Sequence, residues 1–154
     1  MGIGKTTACQ ILKRKLPNSV FLDGDWCWDM HPFQVTQETK TMVLNNICFL
    51  LNNFLRCSAY ENILFCWVMH QQEIIDVLLS RLDTAGCTVK SISLVCSPNA
   101  LEARLLGDIQ QGVRTQDVLQ RSLARLPLYD SLNTIKIDVS RMTPQQVAEA
   151  IQQL

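Results

Sequence analysis

The sequence predicts a single α/β domain of three layers, in which a parallel sheet lies between helices on both faces. Segments rich in β-branched and other apolar residues alternate with amphipathic segments along all 154 residues, the order that is typical of βα units. The strand-like segments are predominantly apolar, as expected when both faces of a sheet are covered. The length suits one domain that buries about two-thirds of its unfolded surface.

The first half of the chain supplies a helix, a strand, a long helix and a second strand. The helical pattern of residues 5–16 follows two glycines and is stopped by a proline. Residues 19–25, SVFLDGD, form a short β-rich run that ends in turn residues. From Thr36 to about Cys57, apolar residues recur at three-to-four spacing and predict one long helix. The run NILFCWV, residues 62–68, predicts a buried strand.

The second half continues the alternation. Residues 71–82 predict an amphipathic helix closed by Gly86, and VKSISLVC, residues 89–96, predicts a strand. Another helix begins at Pro98 and runs to about Leu106. The remaining predicted elements are a polar turn between Gly107 and Gly112, a helix over about 115–126, the strand TIKIDV at 134–139, and a closing helix with Thr143 as N-cap and Pro144 at its first position.

The charge balance argues against several classes of partner. The chain has 14 Lys and Arg residues and 14 Asp and Glu residues, so its formal net charge is zero. A neutral chain has no general attraction for nucleic acid or for an anionic membrane. The most apolar stretch, residues 42–55, is too short and too polar to span a bilayer. We therefore expect a small-molecule substrate, with no nucleic-acid partner and no membrane partner, and the oligomeric state is left open.

The seven cysteines predict a reduced protein. No two of them form the C-x-x-C pair that metal and redox sites use. The odd number and the lack of a signal segment indicate a reducing cytoplasm. Cys48, Cys66 and Cys96 fall inside apolar runs, where a free thiol packs as a small hydrophobe. We expect structural thiols rather than catalytic or metal-binding ones.

The first residues, MGIGKTT, predict a phosphate site because they satisfy the second half of the pattern G-x-x-x-x-G-K-[ST]. Lys5 would reach the β- and γ-phosphates, and the Thr6 hydroxyl would hold Mg²⁺. Thr7 lies on the first helical turn, whose N–H groups favour the α-phosphate. A chance match is the alternative, and the helix and alternating pattern that follow argue against it. The predicted nucleotide-binding residues are Gly2, Ile3, Gly4, Lys5, Thr6 and Thr7.

Two carboxylates follow the first predicted strand. Asp23 and Asp25 flank a glycine, and in doubly wound sheets ligands bind beyond the carboxyl ends of the strands. We expect Asp25 to orient or deprotonate an acceptor hydroxyl, with Asp23 assisting. A solvated Asp-Gly turn is the alternative. Trp26 and Trp28 follow directly and fit either a substrate wall or core packing.

Four arginines in the second half of the chain mark a candidate lid. Arg104 lies on the helix that follows the strand of residues 89–96, and Arg114 follows the predicted glycine turn. Arg121 and Arg125 are four residues apart and share a helix face. A mobile segment carrying arginines could close over a triphosphate and stabilise the charge of the transferring group. Solvated helix charge is the alternative, and we expect it for at least two of the four.

With these residues in place, the chain resembles the small-molecule kinases of the P-loop superfamily, which include adenylylsulfate, gluconate and shikimate kinases and chloramphenicol phosphotransferases. The resemblance rests on GIGKTT, FLDGD, SPNALEARL and IKIDVSRMTPQQVAEAI and covers nearly the whole chain. It implies one P-loop NTPase domain over residues 1–154 with a lid at about 99–126, and ATP and Mg²⁺ as cofactors. The implied catalytic residues are Lys5, Asp25, Arg104 and Arg114, and the implied metal ligand is Thr6. The predicted substrate residues are Asp23, Asp25, Trp26 and Trp28.

The chain departs from this family in three ways. No acidic residue follows the strand of residues 62–68, the lid lacks a clear R-x-x-R pair, and the strand that precedes the phosphate loop is missing. That strand lies at the centre of the family's sheet order, 2-3-1-4-5. We therefore expect its two neighbours to be unpaired along one edge each, or forced together. We also expect either a native product that begins upstream of Met1, or a form that is poorly stable and weakly active.

The resulting interpretation is an ATP-dependent phosphotransferase that moves the γ-phosphate to a hydroxyl of a small molecule. The alternative is a nucleotide-binding protein without kinase turnover, either regulatory or ligand-sequestering, which the missing acidic residue and strand favour. A third class, an NTPase module of a larger assembly, has no second Walker box or oligomerisation element to support it. The acceptor molecule is not identified by the sequence.

Overall fold

The computed structural model describes residues 2–154. The strands are β1 (Ser19–Asp23), β2 (Asn62–Cys66), β3 (Ile92–Val95) and β4 (Ile135–Asp138). The helices are α1 (Lys5–Lys15), α2 (Gln37–Arg56), α3 (Gln72–Ser80), α4 (Pro98–Gln110), α5 (Asp117–Arg125) and α6 (Pro144–Gln152). Short 3₁₀ helices cover Gly24–Trp28 and Leu126–Tyr129. The predicted alternation of helices and strands is confirmed, although all four strands are shorter than their predicted segments.

The strands form two separate parallel pairs. β1 pairs with β2 over its whole length, and β3 pairs with β4 in the same way. Within residues 2–154, no ladder joins β2 to β3. Each of these two strands therefore has one edge without a neighbouring strand. Of the two arrangements expected when the central strand is lacking, the structure has the one in which the flanking strands are unpaired along one edge each.

Local sequence explains where the long helices begin. The hydroxyl of Thr36 accepts the amide of Thr39 at the start of α2, and the Thr39 hydroxyl accepts the Thr36 amide in return. α6 begins with the same reciprocal arrangement between Thr143 and Gln146, with Pro144 at the first helical position as predicted. No helix within residues 2–154 combines the length and the apolar character that crossing a membrane requires.

The predicted end of α4 is wrong. The helix continues through Gly107 to Gln110, so Gly107 does not open a turn. A glycine inside a helix costs only about 1 kcal/mol relative to alanine, and the buried residues Leu101 and Leu105 anchor this helix to the core. The chain turns instead at Gly112, whose φ is 71°, a left-handed conformation that favours glycine.

The buried apolar residues form two distinct clusters. The first cluster lies around α4 and contains Ala8, Cys96, Leu101, Leu105, Val118, Val139 and Val147. The second cluster lies around α2 and contains Leu22, Val43, Ile47, Cys48, Leu51 and Leu78. The cysteines are free thiols; Cys48, Cys66 and Cys96 are buried as expected, whereas Cys57 and Cys87 are exposed.

Candidate active site

The glycine loop leaves the start of α1 exposed. Gly4 is the N-cap residue with φ 93°, and a Cβ at this position would meet nothing within 4 Å. Gly2 also has a positive φ, but a Cβ here would lie 2.4 Å from Cδ2 of Leu105. Gly2 is therefore required for packing as well as for conformation. Ile3, between the two glycines, packs against the first cluster and anchors the loop.

The first turn of α1 has the character of an anion site. The helix has no side-chain cap and no acidic residue in its first turn, so its free N–H groups and positive dipole end are uncompensated by the described residues. Lys5 begins the helix, and its ammonium has no hydrogen-bond partner within residues 2–154. Thr7 is exposed on the same turn. These residues occupy the positions at which the sequence predicts nucleotide phosphates.

Thr6 and Asp23 are joined directly. The Thr6 hydroxyl donates to Oδ2 of Asp23 across 2.6 Å. Asp23 ends β1 and is buried, with 5% of its surface exposed. Its Oδ1 accepts the backbone N–H of Asp25 across 3.1 Å and so caps the 3₁₀ helix that follows. The end of β1 is thereby tied to the start of α1.

Cys66 occupies the end of β2, where the sequence lacks the acidic residue of the kinases. Its thiol donates to Oδ2 of Asp23 across 3.4 Å. The pKa of Cys66 is raised mainly by its hydrogen bond with Cys9 and, to a smaller extent, by burial. The thiol therefore remains protonated and able to donate. The carboxylate that lies beside Thr6 is therefore supplied by β1 rather than β2.

Asp25 lies at the exposed side of this group. Loss of hydration around its carboxylate raises the pKa of Asp25, and the negative charge of Asp23 adds to the effect. Lys5, Trp67 and Arg114 oppose the increase. The structure joins Asp23 to Asp25 through the backbone amide of Asp25 and joins Asp23 to Thr6 through the Thr6 hydroxyl.

Trp67 is a site residue that the sequence analysis missed. It follows β2 and packs directly beneath Gly24, where a Cβ would lie 2.5 Å from its Cγ. Its ring also lies 6.3 Å from that of Trp28. The residue was assigned to a buried strand because it continues the apolar run after Cys66. No local sequence signal could have identified it, because its contact with Gly24 depends on how β2 lies beside β1.

The two predicted substrate tryptophans have different surroundings. Trp28 packs between Phe33 and Trp67, with ring centroids at 5.9 and 6.3 Å. Trp26 makes an edge contact with Phe21 at 5.2 Å and remains 54% exposed. Trp28 is therefore held in an aromatic cluster beside the site, and Trp26 offers free ring surface.

The lid arginines described below form hydrogen bonds or ion pairs with other groups of the chain. Arg104 donates through Nη2 to the carbonyl of Val139 across 2.6 Å and lies 3.5 Å from that of Met142, so it fixes the loop after β4. Arg114 donates through Nε to Oδ2 of Asp108 across 2.8 Å. Arg121 pairs with Asp117 across 3.2 Å on the surface of α5, which is the solvated helix charge expected for part of this set.

The residues present fit a magnesium nucleotide. Among residues 2–154, no group of three or more His, Cys, Asp and Glu side chains could hold a metal alone. Mg²⁺ usually keeps several waters and is held by one or two side chains together with substrate phosphates. The contact between the Thr6 hydroxyl and the Asp23 carboxylate is a pair of this kind, beside an open helix N-terminus.

Comparison with known structures shows the fold of the chain. The chain is similar to a sugar kinase from a Janibacter species, with a TM-score of 0.69 and 19% identity over 99% of this chain and 87% of that chain. It is also similar to the tunicamycin resistance protein of Deinococcus radiodurans, with a TM-score of 0.66 and 19% identity over 96% of this chain and 88% of that one. For a gluconokinase from Sinorhizobium meliloti, the TM-score is 0.65 and the identity 18%, over 97% and 83%.

Sequence comparison adds a family. No curated protein sequence matches the chain. The family described as AAA domain matches residues 1–123, which include the phosphate loop, both carboxylates and most of the lid. Because the solved structures are only 18–19% identical to the chain, their similarity shows the fold alone. The family match covers most of the chain and so shows the family. The chain therefore belongs to the AAA domain family and has the fold of the P-loop small-molecule kinases.

Proposed function

We propose that the chain is an ATP-dependent phosphotransferase that moves the γ-phosphate to a hydroxyl of a small molecule. The observation that carries this proposal is the hydrogen bond of 2.6 Å between Thr6 and Asp23, with Asp25 two residues beyond. The Thr6 hydroxyl and the Asp23 carboxylate form a pair that could bind a metal ion, and Asp25 adds a second carboxylate that is exposed. Phosphoryl transfer needs this combination because most of its catalysis is positioning and charge stabilisation.

The start of α1 would bind the nucleotide phosphates. Backbone N–H groups of the first turn point at the anion, and the helix dipole adds to the attraction. Lys5 would neutralise the β- and γ-phosphate oxygens. Mg²⁺, when bound with ATP, supplies further charge neutralisation at the transferring group, and Thr6 and Asp23 are the residues that would hold it.

Asp25 would act on the acceptor. Its raised pKa makes the carboxylate a better proton acceptor than an ordinary Asp. A hydroxyl bound against Trp67 or Trp26 would lie within reach of this group. Aromatic faces suit the apolar face of a sugar ring or of another ring system. The names of two similar structures, a sugar kinase and a gluconokinase, support a hydroxylated acceptor.

Arg104 and Arg114 would act from the lid. The positive charge of Arg114 opposes the increase in the pKa of Asp25, which supports a role for this arginine at the site. Its contact with Asp108 has to open before it can reach a phosphate. Arg104 would position the loop after β4 and contact ATP only after releasing Val139.

We also place the chain in a reducing cytoplasm, because its free thiols include two exposed ones.

The decisive experiment measures ADP release with panels of sugars, sugar acids, nucleosides and antibiotics as acceptors. Asp25→Asn should lower turnover by roughly 10²–10⁴-fold and leave ATP binding intact. Asp29→Asn is the matched control, because Asp29 is an exposed carboxylate of the same loop, and it should behave as wild type. Lys5→Ala should abolish ATP binding.

Three outcomes contradict the proposal or part of it. Unchanged ATP affinity in Lys5→Ala removes the phosphate-loop assignment. Full turnover in Asp25→Asn removes the proposed base. ATP binding without ADP release for any acceptor supports the alternative, a nucleotide-binding protein without kinase turnover.

A further inference from the structure

The buried carboxylate of Asp23 accepts hydrogen bonds from three separate parts of the chain. Its Oδ2 accepts the Thr6 hydroxyl across 2.6 Å and the Cys66 thiol across 3.4 Å. Its Oδ1 accepts the backbone N–H of Asp25 across 3.1 Å. A buried carboxylate depends on such donors because it has lost most of its contact with water. Asp23 thus joins Thr6, through one oxygen, to the turn that carries Asp25, through the other.

Cys66 differs from the other two donors in its place in the fold. Thr6 belongs to the first turn of α1 and Asp25 to the turn after β1, the two segments that would contact substrates. Cys66 ends β2 and is the direct partner of Asp23 in the parallel β1–β2 pair. Its sulfur also lies 3.9 Å from the Thr6 hydroxyl oxygen. The thiol therefore donates to Asp23 from the sheet itself, beside the Thr6–Asp23 pair.

The chemistry of a thiol suits this position. Cys66 is buried, so a second carboxylate here would add a desolvated like charge opposite Asp23, and one of the two would take up a proton. A thiol instead offers a weak S–H donor without a charge. The S–H has two candidate acceptors, because the Cys66 sulfur also forms a hydrogen bond with Cys9. Which acceptor it serves decides what the residue does.

We propose that Cys66 is a positioning residue for the metal and acceptor groups, and that it acts by holding the Asp23 carboxylate in place. With the S–H on Oδ2, the carboxylate keeps one oxygen beside Thr6 and the other on the Asp25 amide. A carboxylate free to rotate would lose both contacts at once, because its two oxygens move together. The inference rests on the proposed function and adds to it a residue that acts through Asp23.

This role predicts which binding step depends on Cys66. Binding of ATP without a metal uses Lys5 and the N–H groups at the start of α1. Binding of ATP with Mg²⁺ also uses the Thr6–Asp23 pair. Loss of the S–H donor should therefore weaken binding with Mg²⁺ and leave binding without metal unchanged. One hydrogen bond changes an equilibrium by about two- to tenfold, which sets the size of the expected effect.

The test compares two buried cysteines. Cys66→Ala removes the thiol beside Asp23, and Cys48→Ala removes the same atoms from a site in α2 that is equally buried, with 7% exposure against 6% for Cys66. Calorimetric titration with ATP is carried out with Mg²⁺ and then with a chelator in its place. Cys66→Ala should weaken binding with Mg²⁺ about two- to tenfold, whereas Cys48→Ala should match wild type in both titrations. If the alanine chain fails to fold, Cys66→Val fills the space of the thiol and removes the same donor.

Infrared spectroscopy observes the hydrogen bond itself. The S–H stretching band lies in a spectral region free of other protein bands, and donation to a carboxylate lowers its frequency. The difference between wild type and Cys66→Ala isolates the band of Cys66, and Cys48→Ala isolates a reference thiol in the second hydrophobic cluster. We expect the Cys66 band at the lower frequency. Asp23→Asn should raise that frequency, because a neutral amide is a weaker acceptor than a carboxylate.

Three results would overturn the inference. Equal effects of Cys66→Ala and Cys48→Ala, or no effect of either, would show that the Cys66 thiol only fills space. Equal weakening of ATP binding with and without Mg²⁺ would show that Cys66 supports the phosphate loop and not the carboxylate. An S–H band that responds to Cys9→Ala and not to Asp23→Asn would show that the thiol donates to Cys9.

Failure of the proposed function gives a different pattern. A wild-type chain that binds ATP with Mg²⁺ and transfers phosphate to no acceptor contradicts the phosphotransferase, and the titrations and infrared spectra still decide the role of Cys66. A wild-type chain whose ATP affinity does not depend on Mg²⁺ contradicts both proposals, because the Thr6–Asp23 pair then holds no metal.

Discussion

Gly24→Ala tests the contact between the Asp-Gly-Asp turn and Trp67. The added Cβ would lie 2.5 Å from Cγ, 2.6 Å from Cδ1 and 3.0 Å from Cβ of Trp67. Because the last of these atoms is fixed to the backbone, rotating the indole does not relieve the clash. Gly24 is itself buried, so relieving the clash requires a shift of the turn or of the backbone at Trp67.

The cost of this substitution follows from the crowding alone, because Gly24 has no positive φ. Extra methyl groups in a well-packed region typically cost about 1–3 kcal/mol. For a chain of this size, each kcal/mol lowers the melting temperature by roughly 2–4 °C. We expect Gly24→Ala to reduce the free energy of unfolding by about 1–3 kcal/mol and to reduce turnover, because Asp25 moves with the turn.

Gly107→Ala provides the matched control. Gly107 lies inside α4, and a Cβ there would meet nothing within 4 Å. The same chemical change should therefore stabilise the chain by roughly 0.5–1 kcal/mol through helix propensity. Urea unfolding gives both values when hydrogen exchange in β2 reports on Gly24→Ala and hydrogen exchange in α4 reports on Gly107→Ala. A Gly24→Ala chain as stable as wild type would refute the contact, and so would equal effects of the two substitutions.

Three further predictions concern charge, capping and thiols. Asp25→Asn should make the chain more stable than wild type at about pH 7 and equally stable at about pH 3. The folded state favours the protonated carboxyl of Asp25 because its pKa is raised, so the protonated group stabilises the fold fully below the ordinary Asp range and this stabilisation is lost as pH rises through the raised pKa. Urea titrations at both pH values measure the stability of the two chains. A stability difference between the two chains that is the same at both pH values would contradict the prediction. Thr143→Ala removes the cap of α6 and should cost about 0.5–2 kcal/mol, measured by the same unfolding assay, with no change in ATP binding. A maleimide reagent should modify Cys57 and Cys87 rapidly in the native chain, whereas three thiols should react only after unfolding: Cys48, Cys66 and Cys96; rapid modification of all of them would contradict the described burial.

Most of the secondary structure could be predicted because local signals agreed with each other. Pro17 ends α1, and Thr143 with Pro144 begins α6, so the propensity, the cap and the apolar pattern gave one answer. The end of α4 was mispredicted because glycine was read as a breaker. Burial of Leu101 and Leu105 outweighed the small local cost of Gly107.

The candidate site was predictable only in part. The phosphate loop and the Asp-Gly-Asp turn are contiguous in sequence, so their residue types could be recognised directly. The contact between Thr6 and Asp23 spans 17 residues, and that between Cys66 and Asp23 spans 43. Such contacts depend on the register of β1 against β2, which no local pattern specifies. Trp67 was missed for the same reason.

The separation of the buried residues into two clusters has a consequence for how the chain unfolds. One cluster includes Val139 and Leu105 and is anchored to β3 and β4, whereas the other includes Ile47 and Leu22 and is anchored to β1 and β2. All-or-none unfolding requires a core that every element shares, and the two clusters have no buried residue in common. The chain should therefore lose its structure in two steps, one for each cluster. A probe in α2 and a probe in α4 should report different midpoints, and a substitution in one cluster should move only its own transition.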